Sequence, residues 1–65
     1  MMIRREFAPA RQLYRVRLGH LVVMVEAPNR EEAIRRARRQ LGREWPRLWD
    51  MIQQAAEQRF QVEKL

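Results

Sequence analysis

A chain of 65 residues without cysteine is at most one small domain, held with no disulfide and no cysteine-based zinc site. Serine and threonine are absent too, which leaves carboxylates, Lys64, Tyr14 and His20 as the side-chain nucleophiles. The net charge of +6 comes from thirteen arginines and one lysine against eight acids, and such a balance favours nucleic acid, an acidic protein or an anionic surface.

The N-terminal "MMIRREFAPARQ" is charged at its start with no apolar run behind it, unlike a secretory signal. Residues 1–10 read as a partly ordered arm and residues 11–65 as a single α+β domain. No apolar stretch of about 18 residues is present, so neither a membrane span nor a membrane partner is expected. A cytoplasmic location follows as the default.

In "LYRVRLGHLVVMVEA", Tyr14, Val16 and Leu18 alternate with Leu13, Arg15 and Arg17, the period of a strand with one dry face. Leu21, Val23 and Val25 continue the alternation. A two-residue loop at Gly19-His20, glycine first as in a type II′ turn, sets Leu18 opposite Leu21, Val16 opposite Val23 and Tyr14 opposite Val25. These six then share the core face, while Leu13, Arg15, Arg17, Val22, Met24 and Glu26 share the other. A slip of one residue would destroy both matches.

"APNREEAI" reads as a helix start, with Asn29 as N-cap, Glu32 three residues on, and two acids in the first turn. Ala33, Ile34, Ala37 and Leu41 form its apolar stripe, and Gly42 stands where a left-handed C-cap belongs, which predicts a helix over 30–41. Pro46 suits the first turn of a second helix over 46–57, whose apolar face is Trp45, Leu48, Trp49, Ile52 and Ala56. At that spacing both tryptophans read as core in preference to base-stacking platforms, with Trp45, at the break between the helices, the better placed to be partly exposed. The terminal "RFQVEKL" alternates like a third strand, although Phe60 also falls four residues after Ala56, as an extension of the second helix would place it. A lone two-stranded sheet is marginal in water, which favours the strand. The expected fold is α+β with the order ββααβ: an antiparallel hairpin, two helices on one sheet face, and a closing strand beside the first.

Chemistry is sparse in this pattern. One histidine in a turn, two distant glycines and acids on solvent faces support no metal site, no phosphate-binding loop and no paired-carboxylate centre, so neither an enzyme, a cofactor nor a small-molecule substrate is expected. Two binding readings remain. The open sheet face, with Leu13, Arg15, Arg17, Val22 and Met24, is an amphipathic patch that calls for a homodimer partner or another protein. The first helix carries Arg35, Arg36, Arg38, Arg39 and Arg43 away from its apolar stripe, a set that suits nucleic-acid phosphates and equally suits a solvated face. Glu31 and Glu32 stand four residues before Arg35 and Arg36 and are expected to pair with them, leaving Arg38, Arg39 and Arg43 without an acid at helical spacing. The interaction reading ranks first, because the open face needs a cover and the arginines are partly answered.

Overall fold

A computed structural model describes residues 11–65; the expected N-terminal arm lies outside these residues. Strands β1 (Gln12–Leu18) and β2 (Leu21–Ala27) form the hairpin, in the register the alternation requires: Tyr14 opposite Val25, Val16 opposite Val23, Leu18 opposite Leu21. Gly19 turns the chain at φ +62°, and no described non-glycine residue has a positive φ, so His20 takes the second turn position as a type II′ loop requires.

Helix α1 (Arg30–Glu44) is capped as its sequence implies, with the Asn29 side chain accepting from the Glu32 N–H at 2.9 Å. Its C-terminus differs from expectation. The helix continues through Gly42 to Glu44, and the Trp45 N–H closes it on the Leu41 carbonyl at 2.8 Å. Gly42 is therefore a buried helical glycine and no C-cap, and its role is to admit a neighbour. A Cβ there would lie 2.5 Å from Trp49 Cε3 and 2.6 Å from Cζ3.

The second helix is also shorter than the apolar spacing suggests. Pro46–Leu48 form a 3-10 turn, helix α2 spans only Trp49–Gln54, and a second 3-10 turn at Glu57–Arg59 leads to β3 (Gln61–Lys64). Trp45, at φ −129° and ψ 70°, stands outside any helix, so spacing of four to Trp49 does not make a stripe. Ile52 alone is buried in α2, while Trp45 and Trp49 are about half exposed and Ala56 is exposed, against the expected core positions.

Strand β3 joins antiparallel to β1, setting Val62 opposite Val16, and gives the sheet order β2-β1-β3. The architecture is thus α+β in the order ββααβ, with α1 packed on the hairpin and α2 against α1. The core gathers Tyr14, Val16, Leu18, Val23 and Val25 from the hairpin, Ala33, Ile34, Ala37 and Leu41 from α1, and Ile52 and Phe60 from the C-terminal part. Phe60 is 2% exposed although it precedes the last strand. Burying a side chain of this size contributes about 1.5–3 kcal/mol, so the closing segment is anchored by one aromatic as much as by four residues of strand.

Candidate interaction surfaces

Helices cover one face of the sheet, and the alternation of each strand puts the opposite set of side chains in solvent. Leu13, Val22 and Met24 are exposed there at 43%, 49% and 48%. The register places Arg15 between Met24 and Glu63, and Arg17 between Val22 and Gln61. Both arginines turn toward β3. Arg15 Nε donates to Glu63 Oε1 at 3.0 Å and its Nη2 donates to the same oxygen, while Arg17 donates from Nε and Nη2 to Gln61 Oε1 at 3.1 and 2.5 Å. At the other end of the face Arg11 lies 3.9 Å from Glu26. Arg15, Arg17, Val22, Gln61, Val62 and Glu63 line a shallow depression of about 440 Å³. The five residues expected on this face thus stand together on it, joined by Gln61 and Glu63. The period-2 pattern of "FQVEK" carried that signal, since any strand that buries Phe60 and Val62 exposes Gln61 and Glu63 on the other side.

The arginines of α1 divide into two groups. Glu32 receives Arg35 at 2.9 Å and lies 3.8 Å from Arg36, so one acid answers two arginines, and the expected Glu31–Arg35 pair is replaced by the closer i,i+3 contact. Arg36 Nη1 also donates to the Glu26 carbonyl at 2.7 Å, tying helix to hairpin. Arg38 turns inward. Its Nη1 donates to the carbonyls of Ile52, Gln53 and Ala55 at 2.9, 3.1 and 3.0 Å, and its guanidinium carbon stands 4.9 Å from the centre of the Phe60 ring. A helix of six residues that ends at an extended alanine has no local means of satisfying its last carbonyls. Arg38 supplies that cap from the neighbouring helix, over a sequence separation of 14–17 residues that local spacing does not reveal.

Arg39 and Arg43 remain exposed and make no ion pair or side-chain hydrogen bond among the described residues. The two tryptophans stand beside this end of α1, half exposed. A second depression, of about 260 Å³ between the hairpin tip and α2, is lined by Leu18, Gly19, Met51, Gln54, Ala55 and Arg59. Neither depression brings two carboxylates together, and among the described residues no group of three His, Cys, Asp or Glu side chains could hold a metal ion. No helix among these residues is long and apolar enough to cross a membrane.

Comparison with known protein families, curated proteins and solved structures finds no match to this chain.

Proposed function

We propose that the protein is a non-enzymatic interaction protein that self-associates through its open sheet face. The observation that carries this reading is the exposed row of Leu13, Val22 and Met24 beside laterally anchored arginines. Three large apolar side chains on one flat face are an uneconomical use of hydrophobic residues in so small a domain, and a partner would cover them.

A second copy suits the face better than a polyanion does. The surface carries Arg11, Arg15 and Arg17 together with the carboxylates of Glu26 and Glu63, and two of those arginines are already answered within the chain. Such a mixed, nearly balanced patch is complementary to itself under a two-fold rotation. Arg17, held only by the neutral Gln61, keeps a charge to offer to Glu26 of the second copy. Two strands of seven residues and one of four give a planar footprint of roughly 300 Å², so a dimer through this face would belong to the weak class of interfaces. A cytoplasmic location goes with this reading, since the fold owes nothing to disulfides.

Sedimentation equilibrium tests it. The expected result is a reversible monomer–dimer equilibrium that Met24→Lys shifts to monomer with an unchanged far-UV spectrum. A chain that stays monomeric up to about 1 mM, or a dimer indifferent to that substitution, overturns the reading.

A further inference from the structure

Trp45 and Trp49 are the only tryptophans of the chain, and both are half exposed, at 47% and 49%. Each indole represents about 150–250 Å² of potential burial, which a domain this small would ordinarily place in its core. Trp49 is nevertheless not loose. The benzo half of its ring rests on Gly42, where a Cβ would come within 2.6 Å of two ring carbons. Glycine inside a helix costs about 1 kcal/mol relative to alanine, and here the space it leaves is what seats the ring. The indole is fixed along one part and open to solvent over the rest.

Three cations lie close to this seat along the chain. Arg39 lies one turn before Gly42 on α1, Arg43 follows it directly, and Arg47 sits in the 3-10 turn between the two tryptophans. All three are exposed and have no ion-pair partner among the described residues. The nearby acids are Glu44 and Asp50. Glu44 projects about 200° around the helix from Gly42 and accepts from Gln40 at 3.2 Å, on the other flank of α1. Asp50 follows Trp49 on α2, so each tryptophan has one carboxylate beside it in sequence, Glu44 before Trp45 and Asp50 after Trp49.

We propose that this surface binds single-stranded nucleic acid, with bases stacked on Trp49 and Trp45 and phosphates held by Arg39, Arg43 and Arg47. Open aromatic faces among unpaired guanidinium groups are what sequence-tolerant single-strand binding uses. A duplex hides its base faces and would leave both indoles unused. An anionic bilayer requires a continuous apolar helix face, and that of α1 (Ala33, Ile34, Ala37, Leu41) is buried in the core. The site is separate from the sheet face and stands or falls independently of self-association there.

Intrinsic fluorescence reads the site directly, because no other tryptophan contributes. Titration with a short oligothymidylate at low salt is expected to quench the emission, with the matched duplex weaker. The logarithm of affinity should fall against that of salt with a slope of about −2, as for three phosphates neutralised on a single strand. Trp45→Ala, read through Trp49, should weaken binding about tenfold, the effect of losing one stacked base. Arg39→Gln with Arg43→Gln should remove most of the salt slope. Trp49→Phe keeps a ring on Gly42, and with circular dichroism unchanged it should retain most of the affinity, whereas Met24→Lys should leave binding untouched. Absence of quenching overturns the proposal. So does equal binding of duplex or of polyglutamate, which has charge without bases, or a response confined to phosphatidylglycerol vesicles.

Discussion

On the sheet face, Arg15 and Arg17 lie across the strands and are each gripped by a side chain of β3. On the helical side of the molecule, Arg39 and Arg43 meet no acceptor among the described residues, although Arg38 beside them is gripped by three carbonyls. The same residue type therefore performs two kinds of work, and adjacency in sequence does not tell them apart. What separates them is whether the fold presents an acceptor within reach. The sheet face is left a mixed patch whose charges nearly balance around Leu13, Val22 and Met24, as the proposed second copy requires, while the end of α1 keeps uncommitted charge beside half-exposed indoles.

The largest effect is expected where an arginine is committed. Arg38→Met keeps the apolar stem over Phe60 and removes the guanidinium, leaving the end of α2 uncapped. The loss should be about 2 kcal/mol, since hydrogen bonds to charged donors each contribute about 1.5–3 kcal/mol and these carbonyls regain some water. A domain of this size has only about 3–10 kcal/mol to lose. Urea unfolding should show the midpoint fall with the slope unchanged. A loss under about 0.5 kcal/mol would put Arg38 back among the uncommitted cations.

Gly42 marks the border between the two groups, and its substitution should show a change of sign. Gly42→Ala is expected to destabilise by about 1 kcal/mol, because displacing Trp49 outweighs the gain in helix propensity. In a Trp49→Ala background the same change should stabilise by about as much. A double-mutant cycle with no coupling would mean that the ring is not seated on the glycine.

How legible this was in the sequence varies with the range of the cause. The hairpin register, the Asn29 cap and the exposed row of Leu13, Arg15, Arg17, Val22 and Met24 follow from period-2 alternation and local turn chemistry, which act between neighbours. The third strand followed from the need of a hairpin for another strand. The tryptophans did not, because helical spacing applies only where the backbone is helical, and that of Trp45 is not. Gly42 looked like a terminator since glycine after an apolar stripe is the usual stop; its seat for Trp49 exists only once α2 packs on α1. Arg38 looked free for the same reason: its acceptors are carbonyls 14–17 residues away, and backbone carbonyls leave no signature in residue type.

The smallest effect is expected at Arg39, and its sign is the informative part. Arg39 stands four residues after Arg35 and four before Arg43, a like-charge column on the solvent side of α1. Arg35 is partly neutralised by Glu32 at 2.9 Å, and Arg43 is not neutralised by any described residue. Like charges at this spacing oppose the helix by about 0.2–0.5 kcal/mol each, so Arg39→Gln should stabilise the protein by a few tenths of a kcal/mol at low ionic strength. The gain should disappear near 1 M salt, where the screening length falls to about 3 Å. Thermal melts at two salt concentrations decide it. A side chain retained at a small cost to its own helix has its use outside the fold, which is what binding by Arg39 requires. A clear loss of stability on substitution would show instead that Arg39 belongs with Arg38, and the charge available to an anionic ligand at this end of α1 would shrink to Arg43 and Arg47.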